Sequence, residues 1–156
     1  MYKIEIENMD LEQIATSGQC FRWKKIDENR YSVVAFGKRL EICQDGIEFS
    51  MSCDEQEWNE IWSSYFDLDT DYANVARLIN ESEDEHLKEA YSKGSGVRIL
   101  RQDLWEIIVS FIISQNNNIS RITQSIDKIC TRCELPALGG EYRFPYPGEV
   151  EPEFWD

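Results

Sequence analysis

The chain is 156 residues long and carries 30 acidic against 16 basic side chains, a formal net charge of −14. An apolar content of 42% with five tryptophans excludes a disordered chain. No apolar run approaches the roughly 20 residues a membrane helix needs, and the start, Met1-Tyr2-Lys3-Ile4-Glu5, has no apolar signal region, so a cytoplasmic protein without membrane contact is expected.

Tyr2, Ile4 and Ile6 alternate with polar residues, which predicts a half-buried first strand. Asp10 and Gly18 bracket one or two helical turns built on Leu11, Ile14 and Ala15. Strand-like runs follow at Phe21–Ile26, Tyr31–Phe36, Arg39–Cys43 and Ile47–Met51. Their links are short and turn-like, Asp45-Gly46 being the strongest hairpin signal, so a meander is expected in which each strand pairs with the next.

The period then changes. Trp58, Ile61, Trp62, Tyr65 and Phe66 mark an amphipathic helix over 54–66 with an acidic outer face. Shorter helical patterns near 71–80 and 84–92 are expected to pack on one face of the sheet, giving an α+β domain over 1–95. Gly94-Ser95-Gly96 reads as a linker.

Beyond it Asp103 and Glu106 form a capping pair for a helix over 103–115, apolar around most of its circumference and therefore expected to be deeply buried. Asn118 caps a further helix striped by Ile119, Ile122, Ile126, Ile129, Cys130 and Cys133. Residues 96–135 thus read as the opening helices of an all-α domain. Residues 136–156, with all four prolines and Gly139-Gly140, read as a tail leading elsewhere. Two helices cannot enclose so apolar a helix, so the second domain is expected either to lack its C-terminal half or to self-associate.

The cysteines at 20, 43, 53, 130 and 133 are odd in number, which argues against a disulfide framework. Cys130-Thr131-Arg132-Cys133 is a lone CxxC, and the only histidine is His86, so buried thiols are expected and no metal. The acidic balance opposes nucleic-acid binding, but it is uneven. Residues 54–89 carry a net −10, whereas residues 96–133 carry +2 from Arg98, Arg101, Arg121, Lys128 and Arg132 against Asp103, Glu106 and Asp127.

Within that least acidic stretch lies Ser114-Gln115-Asn116-Asn117-Asn118-Ile119-Ser120-Arg121. A helix connection with Asn118 as N-cap and two solvated amides satisfies this spacing. So does a base-recognition device. A base swung out of a duplex leaves its partner's acceptors facing an empty space, which a guanidinium and an amide can fill.

Ser114-Gln-Asn-Asn-Asn-Ile-Ser-Arg-Ile122 resembles the core signature of the 8-oxoguanine DNA glycosylases. Ser17-Gly-Gln-Cys-Phe-Arg-Trp23, Tyr65-Phe-Asp-Leu-Asp-Thr-Asp-Tyr72, Gly96-Val-Arg-Ile-Leu-Arg-Gln-Asp103 and Phe144-Pro-Tyr-Pro147 are similar to further motifs of that family, in the right order. The resemblance implies a TATA-binding-protein-like antiparallel sheet with packed helices, followed by the first helices of a helical domain. It implies a base-excision-repair glycosylase and AP lyase acting on double-stranded DNA that holds 8-oxoguanine opposite cytosine, without a cofactor and, in a bacterium, associated with the nucleoid. Asn116 and Arg121 match the residues that fill the gap and hold the estranged cytosine, with Asn117 and Asn118 shaping the same turn. Gly18 matches the glycine whose carbonyl reads the lesion. Oxidation turns N7 of guanine into a donor, so a fixed carbonyl gains a hydrogen bond worth about 1–3 kcal/mol.

Leu104 departs from the family's usual proline, at the cost of some helix pre-organisation. The family's chemistry also requires a helix-hairpin-helix, a nucleophilic lysine and a downstream aspartate. Lys3, Lys24, Lys25, Lys38, Lys88, Lys93 and Lys128 match none of these positions, so no catalytic residue is expected within this chain. The competing reading is a non-catalytic module that binds DNA or, through its acidic face, a basic protein. A glycosylase for alkylated purines shares the architecture, but Gly18 and the triple asparagine together argue against it.

Overall fold

The computed structural model describes residues 1–151. The tail assigned to 136–156 therefore falls partly outside the described residues, at 152–156. The element order is β1 (Tyr2–Glu5), α1 (Leu11–Thr16), β2 (Trp23–Asp27), β3 (Arg30–Ala35), β4 (Lys38–Asp45), β5 (Glu48–Met51), α2 (Glu55–Glu57), a π turn (Trp58–Trp62), α3 (Ser63–Tyr65), α4 (Tyr72–Glu81), α5 (Glu85–Gly94), α6 (Leu104–Ser114) and α7 (Ile119–Cys133). None of the described helices is long and apolar enough to cross a membrane.

The strands form one antiparallel sheet in the order β1-β5-β4-β3-β2. β2 to β5 follow the expected meander. β1 does not: it pairs with β5 and not with the next strand in sequence, placing Ile4 opposite Phe49 and Tyr2 opposite Met51. The reason lies in the patterns of the two strands. Phe49 and Met51 are fully buried, and only this register puts the apolar side of β1 beside them. The β4–β5 hairpin closes on Gly46 at φ +61, the first central position, where the right-handed strand twist favours glycine.

The chain divides into two compact units, each contributed by separate stretches of sequence. The first takes in Met1–Cys20, Lys25–Tyr31 and Glu41–Arg101. Its core is aromatic. Trp58 stacks on Phe66 at 5.8 Å, Tyr65 meets Phe66 edge-on at 5.1 Å, and Trp62 meets Tyr65 edge-on at 5.6 Å. The helix expected over 54–66 is present but not regular. Its middle is a π turn closed by the Ser63 N–H on Trp58 O, and both indoles are fully buried there. The helices expected near 71–80 and 84–92 are present as α4 and α5. α4 and α5 lie against one another and bury no residue, since Val75, Leu78 and Leu87 are too few to form a core.

Gly94-Ser95-Gly96 is likewise not a linker. Asp10 N–H donates to Gly96 O (2.9 Å), and Gly96 N–H donates to the Gln13 side chain (3.0 Å). A Cβ on Gly96 would stand 2.3 Å from Asp10 Cβ and 3.0 Å from its backbone nitrogen. The glycine is there for close approach of two backbones, at the very residue whose carboxylate caps α1 through Gln13 N–H.

The second unit takes in Phe21–Lys24, Ser32–Leu40 and the chain from Gln102. Ile122, Ile126, Cys130 and Phe144 form its core, with Phe21, Trp105, Val109, Ile113 and Ile129 packed around them. α6 is not deeply buried as expected. Only Ser110 is buried on it, and Leu104, Phe111 and Ile112 are 71, 67 and 64% exposed. α7 covers one face of α6 and nothing among the described residues covers the other.

The stretch from Pro136 is built into this unit, contrary to its reading as a tail leading away. Leu138 bridges to Lys38, with Arg39 N–H donating to Leu138 O at 2.8 Å. Glu141 collects Lys24 (2.8 Å), Ser32 (2.7 Å) and Arg39 (3.0 Å). Trp105 Nε1 donates to Pro145 O (3.0 Å) and Tyr146 Oη to Asp103 (2.9 Å). Proline and glycine mark turns here because the segment is pinned by side chains and not by a long ladder.

The Gly96 contact is directly testable. Gly96→Ala forces Asp10 away from the α1 start, and a loss of about 1–3 kcal/mol, the usual cost of overpacking, is expected by denaturant unfolding. Gly94→Ala, whose added Cβ would meet only Val97 at 3.8 Å, is expected to leave the midpoint within about 0.5 kcal/mol.

Candidate nucleic-acid interface

An α-helix leaves its last four carbonyls without intrahelical partners, and α6 ends without the glycine that commonly closes a helix. Its own polar sequence supplies the donors. Phe111 O accepts from Ser114 Oγ (2.7 Å) and Gln115 Nε2 (3.2 Å), and Ile112 O from Gln115 N–H (3.2 Å). Ile113 O accepts from Asn117 Nδ2 (3.2 Å) and Ser114 O from Asn117 N–H (3.2 Å). All four carbonyls are satisfied within the motif.

The last of these bonds closes a β-turn over Ser114–Asn117. Gln115 has φ −60 and ψ 120, and Asn116 has φ +54, the pattern of a type II turn. Position 116 is therefore left-handed, a conformation glycine accepts freely and asparagine and aspartate more readily than other residues. Asn117 Oδ1 then accepts from Asn118 N–H (3.0 Å), and Asn118 Oδ1 caps α7 by accepting from Arg121 N–H (3.0 Å).

The three asparagines thus separate by role. Asn117 uses both ends of its amide inside the turn, and Asn118 uses its carbonyl oxygen on the helix start. The side chains of Asn116 and Arg121 make no hydrogen bond or ion pair among the described residues, and both residues are exposed. From Arg121, Lys128 and Arg132 follow at spacings of seven and eleven, which keeps them on one side of α7. On α7 these three stand against Asp127 alone, a net +2 for the helix. Arg98 and Arg101, counted with them in the sequence, serve the first unit: Arg98 donates to Asp67 O and Glu7 O at 3.0 Å each, and Arg101 pairs with Asp67 and Asp69.

Gly18 lies in the first unit, on the turn after α1, and is exposed with φ +80. An added Cβ would meet nothing within 4 Å, so the backbone angle and not crowding requires glycine. Its neighbours are fixed. Ser17 Oγ donates to Ile14 O (2.7 Å), and Gln19 is bonded at both ends, to Arg98 O (2.9 Å) and from Leu100 N–H (2.8 Å). Gln19, Ser114 and Gln115 stand within the sequence motifs, which assign them no role of their own. The available signal was the need for donors at a helix end that has no glycine.

One acid of the second unit is pushed strongly upward. Glu106, half-buried on α6, is pushed up to about 7 by loss of solvent, opposed by Arg22 at 3.7 Å and assisted by Asp103. Arg22 also donates to Tyr142 O, and burial pushes the nearby Cys130 thiol up to about 11. Such a thiol is unreactive at neutral pH, in keeping with a packing role. Among the described residues no group of three or more His, Cys, Asp or Glu could hold a metal.

The family model for the 8-oxoguanine DNA glycosylase N-terminal domain matches residues 1–108. The chain belongs to the 8-oxoguanine DNA glycosylase family. It is 29% identical over 131 residues to the N-glycosylase/DNA lyase OGG1 of Arabidopsis thaliana and 32% identical over 139 residues to the N-glycosylase/DNA lyase of Saccharomyces cerevisiae. These matches cover 71% and 78% of this chain but 32% and 35% of the two relatives, so the chain spans about a third of their length. Among solved structures, MBOgg1 in complex with a low-affinity DNA ligand is similar with a TM-score of 0.87 and 36% identity, over 95% of this chain and 52% of that one. The 8-oxoguanine glycosylase/lyase of Clostridium acetobutylicum gives 0.82 and 37% without DNA, over 91% of this chain and 50% of that one. With duplex DNA holding cytosine opposite 8-oxoguanine it gives 0.81 and 33%, over 94% and 54%. The α+β fold of this family member is thus that of known glycosylases.

The Glu106 environment makes stability depend on pH in a definite sense. Because the folded pKa lies above the ordinary carboxylate value, the folded chain keeps a proton that the unfolded chain has lost between about pH 4.5 and 7, so stability falls as pH rises through that window. The carboxyls held low, those of Asp67, Glu141 and Glu149, lose their contribution only at more acidic pH. Urea unfolding from pH 5 to 8 is expected to show a decline on the order of 1–3 kcal/mol in wild type and a flatter profile in Glu106→Gln.

Proposed function

We propose that this chain is the base-inspecting portion of an 8-oxoguanine DNA glycosylase/AP lyase, acting in base-excision repair on duplex DNA with 8-oxoguanine opposite cytosine. Asn116 and Arg121 form the face that meets the gap left by an extruded base, Asn117 and Asn118 shape the turn that carries them, and the Gly18 carbonyl reads the lesion. The observation that carries this reading is the division of labour at the α6–α7 turn. Every other polar side chain from Ser114 to Asn118 is spent on the turn, while the Asn116 amide and the Arg121 guanidinium are left exposed and unbonded. Glycine would satisfy a type II turn at less cost, so an asparagine at 116 is best explained by its amide. Arg121 offers paired donors matching cytosine O2 and N3, and Asn116 offers a donor and an acceptor on a short stem. The compartment is that of the DNA, cytoplasm and nucleoid in a bacterium.

No residue of this chain carries the excision chemistry in this reading. A Schiff-base lysine must be neutral part of the time, which burial or a neighbouring cation achieves. None of the seven lysines is buried. Lys3 and Lys25 are shifted upward by Glu48 and Glu12, the wrong direction for a nucleophile.

Incubation of the purified chain with an 8-oxoguanine:cytosine duplex is expected to release no base and to give no borohydride-trapped adduct. Either product would overturn the division between recognition and chemistry. Binding to a duplex bearing an abasic analogue opposite cytosine is expected to weaken as salt rises, and Arg121→Ala to cost about 1–3 kcal/mol of that affinity. Retention of a basic protein with no duplex binding at low salt would favour an interaction module working through residues 54–89.

A further inference from the structure

We infer that Asn117 is a positioning residue for strand recognition: its amide is a clamp that holds Asn116 left-handed and so aims the Asn116 side chain. The inference rests on the proposed reading of Asn116 and Arg121, and assigns a part to a residue that touches no base.

Asn116 follows the last residues of a helix, where any residue with a Cβ relaxes most easily to negative φ. It is exposed, and no side chain packs it into the left-handed region. What holds it there comes from the residue after it. Asn117 N–H donates to Ser114 O (3.2 Å), closing the turn across Asn116. Asn117 Nδ2 donates to Ile113 O (3.2 Å), one carbonyl further back in α6, and Asn117 Oδ1 accepts from Asn118 N–H (3.0 Å) at the entrance to α7. One side chain therefore ties the end of one helix to the start of the next, with Asn116 as the residue bridged over. An aspartate would lack the donor for Ile113 O, and a serine would be too short to span both partners. Asparagine answers both needs.

The same geometry separates two effects that a substitution at 116 normally mixes. Asn116→Gly keeps the turn, because glycine accepts φ +54 freely, and removes only the amide. Asn117→Ala keeps the amide and removes what aims it. Loss of recognition in both variants, with loss of the turn geometry in only the second, is the signature of positioning.

The test uses the full chain and two readouts. In the free protein, the intraresidue amide–Hα nuclear Overhauser effect of residue 116, strong at positive φ, is expected in wild type and weak in Asn117→Ala, while in Asn116→Gly, whose second α-proton makes that effect strong at either sign of φ, the turn is read from the strong Gln115 Hα to residue 116 amide effect of a type II turn. Fluorescence anisotropy then gives affinities for duplexes with an abasic analogue opposite cytosine and opposite adenine. The preference for cytosine is expected to fall about tenfold in both variants, the loss of one or two hydrogen bonds, while affinity for undamaged duplex and its salt slope stay unchanged. A strong effect retained in Asn117→Ala overturns the clamp, whatever happens to DNA binding. So does its loss with the cytosine preference intact. If wild type itself shows no preference, the proposed function fails, and the resonance measurement alone decides whether Asn117 sets the turn. Should Asn117→Ala not fold, Asn117→Asp removes the Ile113 bond alone and is read the same way in the free protein.

Discussion

The left-handed backbone of Asn116 is the constraint from which the candidate interface follows. It turns the chain sharply after α6 and lets a β-turn bond form on Ser114 O. That turn brings Asn117 back over the helix end, so that the carbonyls of α6 are satisfied by side chains of the same motif. A glycine-capped helix would have freed those polar groups but would have presented nothing outward. Here the capping chemistry and the proposed recognition groups share one short segment, and the two unbonded groups, the Asn116 amide and the Arg121 guanidinium, are what remains after the backbone has been satisfied.

A second constraint is electrostatic. A chain with a formal charge of −14 presents a basic side only if its arginines are allocated with care. Arg98 is spent on backbone carbonyls and on the Tyr72 ring, whose centroid lies 4.4 Å from the guanidinium. Arg101 is spent on Asp67 and Asp69. Arg22 is buried with Glu106, and Arg39 is tied to Glu141. Arg121 and Lys128 on α7 are left with no carboxylate partner among the described residues. Acidic charge gathers at α2, the π turn and the links before and after α4, through Asp54, Glu55, Glu57, Glu60, Asp67, Asp69, Asp71, Glu83 and Asp84, all in the first unit, while α4 and α5 are themselves balanced.

Two readings of sequence punctuation failed for one reason. Gly96 looks like a linker and the run from Pro136 looks like a tail, because glycine and proline are rich in both. Composition cannot distinguish a glycine that frees the chain from one that admits another backbone at contact distance, as Gly96 does with Asp10. Nor does it reveal that Glu141, itself at φ +65, is the acceptor gathering Lys24, Ser32 and Arg39 from strands that precede it by about a hundred residues. Both depend on partners remote in sequence. α6 shows the converse: its all-round apolar pattern signals burial, yet Leu104, Phe111 and Ile112 remain exposed, because periodicity reports what a helix could bury and not what lies against it.

The sequence by itself determined the elements, the strand-to-helix change of period near residue 54, the Asp10, Asp103 and Asn118 caps, and the family motifs with the residues they single out. These are local properties: alternation, capping and turn chemistry act within a few residues of one another. Only the tertiary structure decided that β1 pairs with β5, that Gly96 is a contact and not a hinge, and that Glu106 faces Arg22 in a low-dielectric setting. It also decided which asparagine does what. Three identical side chains in a row are indistinguishable in sequence, and they became distinct only when the turn gave two of them partners and left the third without one.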